Sequence, residues 1–525
     1  MKLDRRGFLR LLPLGAAFPA LDTWSQEAVG SHAPGMSLNP APNPAFKADV
    51  ELELSALESN AQLVPGSMTR LWQYQGRVLK GEPRSLGTLP GGQVPVIRVR
   101  RGQRIRVIFR NELPEETIVH WHGLHIEQKM DGHPMYAMAS GQRFVYEFEI
   151  TNRAGTYWFH PHPHRRTGIQ VYRGLAGLFL VEDDEEAAAG LPSREHELSW
   201  VLQDRRLDTD NQLVYAGNHM QMMMGFTGDR IFVNGRPDHV EDVSASVYRV
   251  RIFNGSNARF FKLAWSDATP ITVIGSDGGL LERPVEKPYV MLAPAERVEV
   301  WLDFSSDEPG TEHTLLSRAF DAGSMMGMGR GMGGGMGRGR GRGMGGGASG
   351  NGAALDVLRV RVVKPGSTGP DLPERLSSIA WPDLDEAANR ADPRRIRLQM
   401  GRGRVSLNNR TFALLDVAAD EVVKANSTEV WEFDNSAGQM AHPMHVHNIQ
   451  FQVLERRRDP DFRTIHDTMK DGLIDEGWKD VVIVMPGERV RVLMQFIGHT
   501  GLYLYHCHIL EHEDLGMMRN FLIEA

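Results

Sequence analysis

The sequence predicts an all-β chain made of one β-sandwich unit used three times. Three observations carry that expectation. Short runs alternate apolar and polar residues with the period of half-buried strands. In VIRVRRGQRIRVIFRN, for example, Val99, Ile105, Val107 and Phe109 alternate with arginines. No long amphipathic helical pattern appears beside them. Two sequence elements each recur three times, which marks a repeated structural unit, and many short strands separated by turn signals fit sandwiches.

The first recurring element is RVIFRN ending at Asn111, RVRIFN ending at Asn254 and EVWEFDN ending at Asn435. The second opens with Gly141-Gln142-Arg143, Ala295-Glu296-Arg297 and Gly487-Glu488-Arg489, each followed by an alternating run. A turn glycine follows each arginine at a near-constant distance: Gly155, Gly310 and Gly501. Five residues past each glycine stand His160, Leu315 and His506. The outer copies carry histidine where the middle copy carries leucine.

Length supports the count, since 525 residues allow about three domains of roughly 150 residues each. Acidic or Pro/Gly-rich linkers, DDEEAAAGLPSRE and PGSTGPDLPERL, divide the chain into units at 47–185, 195–365 and 380–525. The formal charge of -7 argues against nucleic acid or an anionic membrane as partner. No apolar run is long enough to span a bilayer, and a monomer is expected.

Two stretches stand outside this plan. Residues 1–27 begin MKLDRRGFLRLLPLGAAFPA, with paired Arg5 and Arg6, then Phe8-Leu9, then a short Leu/Ala-rich run. They resemble a twin-arginine signal and imply an exported, periplasmic protein. A loose leader, 28–46, follows. Residues 322–351 are low-complexity Gly, Arg and Met, inserted into the second unit and unable to build a core. A second methionine cluster, NHMQMMMG, occupies 218–225.

The chemistry is concentrated in YHCHILEHEDLGMMR. Cys507 is the only cysteine, so no internal disulfide competes for it. His506 and His508 flank it, His512 lies five residues on and Met517 ten. A thiolate, a thioether and two imidazoles form a blue-copper ligand set, and His442 supplies the second imidazole. In an extended segment, His506 and His508 share one face and Cys507 takes the other. Three more His-x-His pairs occur: His120/His122, His160/His162 and His445/His447. With His506/His508 they give eight neutral imidazoles, enough for three copper ions with positions left for O2. His125, His133 and His164 fall outside that count and are expected to be supporting or surface residues.

These motifs resemble the multicopper oxidase family, and within it the bacterial three-domain cuprous oxidases and laccases. The segments that carry the resemblance are HWHGLHIEQKMDG, GTYWFHPHPHRRTGIQVYRGLAG, SDGGLL, HPMHVHNIQFQVL, GWKDVVIVMPGERV and HCHILEHEDLGMM. The resemblance implies three cupredoxin-like Greek-key β-sandwich domains, the middle one ligand-free. It implies four copper ions: one type 1, one type 2 and two type 3. It assigns His442, Cys507, His512 and axial Met517 to type 1, and His120 with His445 to type 2. It assigns His122, His160 and His508 to one type 3 ion and His162, His447 and His506 to the other. Asp131 and Glu513 match proton-delivery carboxylates.

For the reductant, Met440 matches a soft Cu(I) contact of cuprous-oxidising members, although Gly438 stands where those members carry an acid. Three readings stay open: a cuprous oxidase for copper tolerance with laccase-like activity, a laccase acting on phenols or aryl amines, and a non-catalytic exported protein that stores copper or is a structural cupredoxin.

Overall fold

The computed structural model describes residues 39, 41–323, 350–366, 369–401 and 403–525. The export motif at 1–27 and the methionines Met325, Met326, Met328, Met332, Met336 and Met344 lie outside the described residues.

Six sheets pair into three successive layers-of-two. The first pair is formed by strands within 50–182, the second within 197–364 and the third within 394–524. Among the described residues the longest helix is Arg463–Met469, and no helix is long and apolar enough to cross a membrane. The all-β expectation is met.

The alternation seen in the sequence becomes the pleat of the strand Arg104–Glu112. Ile105, Val107 and Phe109 point into the first core and the arginines between them point out. Each such buried side chain contributes about 1.5–3 kcal/mol.

The recurring elements are adjacent antiparallel strands in all three units, held in one register. Arg110 pairs with Arg143, Phe253 with Arg297, and Asp434 with Arg489. Every recurring arginine therefore faces the residue just before the recurring asparagine. The asparagine ends the strand for a physical reason. Its side-chain amide donates to carbonyls further along the chain: Glu115 and Met138 for Asn111, Arg259 and Leu292 for Asn254, and Met440, Val484 and Met485 for Asn435. Burying an unpaired amide or carbonyl is costly, so these bonds fix the corners.

Each unit also holds parallel strand pairs in equivalent places. Val50–Ala61 runs beside Arg104–Glu112, Glu197–Arg205 beside Val247–Asn254, and Arg394–Gly401 beside Thr428–Asp434. Leu315, on the strand Glu312–Ser317, packs into the second unit's core. A smaller apolar cluster joins all three units. It contains Trp158 from the first, Val201, Phe253 and Ala295 from the second, and Val481 from the third. It lies directly behind the histidines.

Candidate metal centre

Two hairpin-like strand pairs present the histidines. In the first unit Val119–His122 lies antiparallel to Gly155–Pro161, which sets His120 opposite His160. In the third, His442–Val446 lies antiparallel to Gly501–Cys507, which sets His445 opposite His506. The next histidine on each second strand is fixed alike: the amide of His162 donates to Ile118, that of His508 to Pro443. The two units meet face to face across an approximate twofold. The ring of His120 stacks on His447 at 3.7 Å and that of His122 on His445 at 3.8 Å. All eight rings are buried.

Burial pushes every one of these imidazoles down, and the neighbouring rings reinforce it for most of them. His120 falls to about 3 and His506 to about 4; His122, His160, His162, His445, His447 and His508 fall well below the ordinary value. All are neutral at physiological pH, the state in which an imidazole has a lone pair to give. The second nitrogen of several rings is tied down. His120 Nδ1 donates to the Asp131 carbonyl at 2.7 Å, His445 Nδ1 to the Asp480 carbonyl at 2.7 Å, and His160 Nδ1 to the Pro161 carbonyl at 2.9 Å. That leaves Nε2 of His120, His160 and His445 buried with no hydrogen-bond partner among the described residues. His122 Nδ1, His162 Nδ1 and both nitrogens of His508 are in the same condition. Buried polar atoms without partners are rare in folded proteins, and lone pairs turned into one dry cluster are what a copper site requires. The residues fit the metal.

The donor atoms converge in groups. Those of His162, His447 and His506 lie within 4.8 Å of one another, as do those of His120, His122 and His160, of His120, His445 and His447, and of His122, His445 and Asp480. His508 sits beside them, its ring 5.0 Å from His122 and 5.4 Å from His160. Besides Asp480, two more carboxylates reach the cluster. Asp131 Oδ2 accepts from His447 Nδ1 at 2.7 Å. Glu513 lies 3.6 Å from His162 Nε2 and 3.4 Å from His506 Nδ1. Burial holds both carboxyls well above the usual carboxylate range, with Asp514 adding to the effect at Glu513.

The Cys507 end is separate. His442 Nδ1 lies 3.4 Å from Sγ, and His512 Nδ1 3.6 Å from it. These three donors form a fifth convergent group. Met517 is fully buried in the same core, and its carbonyl accepts from the Cys507 amide at 3.0 Å. Burial raises the thiol far above its ordinary value, so a soft cation, rather than solvent, is what would draw off its proton. Met440 packs in this core as well, and Gly323 forms an isolated β-bridge with it.

His125, His133 and His164 belong to none of the convergent groups. His125 Nδ1 donates to the Asn448 carbonyl, His133 Nε2 to Asn520, and His164 rests against Phe412. Three contributors were not singled out from the sequence. Asp480 and Arg297 were visible only as part of a motif and a repeat. Met223, in the methionine cluster at 218–225, turns its carbonyl to His512 Nε2 at 3.0 Å.

Profiles described as multicopper oxidase match residues 82–186 and 386–525. A laccase from Bacillus stratosphericus is 29% identical over 90% of this chain and 93% of its own length. A laccase-like multicopper oxidase from Ochrobactrum, with activity towards lignin model compounds, superposes with TM-score 0.73 at 27% identity, covering 93% of this chain and 100% of that one. The McoA multicopper oxidase of Aquifex aeolicus superposes with TM-score 0.75 at 32% identity, covering 93% of this chain and 99% of that one. Matched over 93% of its length at that identity, and with the copper motifs inside the matched segments, the chain belongs to the multicopper oxidase family.

Proposed function

We propose that this oxidase is a cuprous oxidase serving copper tolerance, with laccase-like activity on the side. Its copper complement would be four ions: His442, Cys507, His512 and Met517 would hold type 1, His120 and His445 type 2, and the two histidine triads type 3. Bound copper supplies one-electron oxidation at the Cys507 end and four-electron reduction of O2 to two waters at the histidine end.

The chain's own contribution is connection and protons. Cys507 lies between His506 and His508 in sequence, so the two ends are joined through covalent bonds alone. Asp131 and Glu513 touch the histidine end from inside the protein and are the groups placed to hand protons towards O2.

The observation that carries the cuprous reading is the placing of methionine on two sides of the Cys507 end. Met440 stands two residues before His442 and is buried in that core. The helix His219–Met224 contacts His512 through the Met223 carbonyl, and exposes Met220. Thioethers are soft ligands suited to Cu(I). A laccase acting on phenols or aryl amines is the second reading, favoured by the two laccase relatives. The export motif alone supports a periplasmic location.

Steady-state kinetics with Cu(I), Fe(II) and a phenol separate the two. The methionines of the insert are further soft ligands for Cu(I), so Met440→Leu and a chain lacking 322–351 are both expected to lose Cu(I) turnover while keeping or gaining phenol turnover. Equal rates in all three proteins with all three reductants would sink the cuprous reading and leave the laccase.

A further inference from the structure

The approximate twofold of the histidine end breaks at a pair of aspartates. Asp131 and Asp480 occupy equivalent positions. Each gives its backbone carbonyl to the first histidine of a pair in its own unit, and its carboxylate to the second histidine of the opposite unit. For Asp131 these are His120 and His447; for Asp480 they are His445 and His122, the last with Nε2 3.1 Å from Oδ1. Asp131 Oδ1 has no hydrogen-bond donor among the described residues. Asp480 instead meets a guanidinium. Arg297 Nη1 donates to Oδ1 and Nη2 to Oδ2, both at 2.6 Å.

Arg297 comes from the unit that carries no copper ligand. It is the recurring arginine of that unit, and here its side chain is completely buried. All its N–H groups are used. Nε donates to the Thr156 carbonyl of the first unit at 2.8 Å, Nη1 also to Ala295 at 3.0 Å, and Nη2 also to Asp277 at 2.9 Å. One planar group thus braces all three units, and lysine, a point charge on a flexible stem, cannot reproduce the fork. The chain clears space for it. Gly123, directly after His122, has φ +83°, and a Cβ there would stand 2.4 Å from Asp480 Oδ2 and 3.2 Å from Arg297 Nη2.

We propose that Arg297 is a positioning residue of the trinuclear copper site: it fixes the Asp480 carboxylate so that His122 is bound through Nε2 and presents Nδ1 to the metal. His122 Nδ1 is already the buried atom without a partner. Outer partners of this kind set which nitrogen of a ligating histidine faces the ion. The middle unit, without ligands of its own, thereby shapes the site between the other two. The inference rests on the copper assignment proposed above.

Two measurements test it. In crystals of the copper-loaded wild type, the copper nearest His122 is expected on Nδ1, with Nε2 on Asp480; copper on Nε2 would overturn the proposal. Copper-loaded wild type, Arg297→Lys and Asp480→Asn are then titrated with a chelator. Copper at the histidine end, followed by its near-ultraviolet absorption and by copper per chain, is expected to leave at about 10- to 100-fold lower chelator in the variants. The blue absorption of the Cys507 end is expected to stay within about twofold, since neither residue touches it. Equal loss from both ends would make Arg297 merely structural, and no loss from either would remove its role; both results overturn the proposal. If neither variant folds, the crystal measurement decides. Wild type without copper at the histidine end would overturn the proposed copper assignment too, whereas a copper-replete wild type with unchanged variants overturns only this inference.

Discussion

Asp131 and Asp480 grip the histidine cluster from opposite sides, each through a carbonyl and a carboxylate, but Asp131 takes Nδ1 of His447 where Asp480 takes Nε2 of His122, and only Asp480 meets an arginine. Asp131 has no such partner; beside it stand His447 and His120, which burial keeps neutral, and tyrosines whose own ionisation burial suppresses. Two carboxylates placed alike in two units but in two environments are suited to two tasks. In the reading proposed above, Asp480 orients a ring from within its pair with Arg297, and Asp131 is the one placed to exchange a proton.

That difference gives the first prediction. In Asp131→Asn the amide oxygen can still accept from His447 Nδ1, so copper content is expected to be unchanged. The amide cannot carry a proton, and turnover with a saturating reductant is expected to fall about 100-fold or more. Copper analysis beside kcat checks this, and unimpaired turnover in a copper-replete variant would remove Asp131 from proton delivery.

Cys507→Ser tests the independence of the two ends. Serine keeps the shape of the site but not the soft thiolate, so the blue absorption should vanish and copper per chain should drop by about one ion. The near-ultraviolet signal of the histidine end should survive, because His506 and His508 remain held by the Met518 pairing and the Pro443 carbonyl. Loss of all copper would show that the ends load as one site.

Leu315→His tests whether the middle unit is a silenced copy or an unrelated core. Leu315 stands at the sequence offset of His160 and His506, but its side chain faces inward among the apolar residues of the second core, as Phe159 and Cys507 do in theirs, and not outward as the two histidines do. A histidine there has no partner for either nitrogen. It is expected to destabilise the chain by about 2–4 kcal/mol, read in thermal or denaturant unfolding, with no gain in copper per chain. A stable variant with additional bound copper would contradict this.

What the sequence revealed and what it hid divide along a physical line. The His-x-His pairs were legible because a strand's period of two puts both rings on one face. The repeats were legible because each recurring arginine and asparagine keeps one register in three units. Arg297 and Asp480 were on view only as a repeat marker and a motif letter. They meet across 183 residues of chain, and nothing local distinguishes Arg297 from the exposed Arg143. The carbonyl of Met223 was beyond reach for a further reason, since a backbone acceptor leaves no trace in residue type.

The seam between the first two units gives a prediction about pH. Glu197 accepts from Arg98 Nη2 of the first unit at 3.1 Å and from Arg251 Nε of the second at 3.1 Å. Burial alone pushes its carboxyl up, but Arg251, Arg98 and Arg249 together outweigh burial and bring it down to about 2. The same carboxyl in the unfolded chain titrates near ~4.3. A depressed folded value means that the ion pairs contribute stability fully above the unfolded value and lose it as pH falls through the folded one. Between about pH 4.5 and pH 2 this one group should therefore withdraw stability on the order of 3 kcal/mol. Glu197→Gln should start less stable at neutral pH, because Arg251 loses a buried partner. Its melting temperature should then fall less steeply than the wild type's over that acid range. Parallel melting curves for the two proteins across the range would show that the seam is held by the other carboxylates around Arg251, Glu186 and Glu299, and not by Glu197.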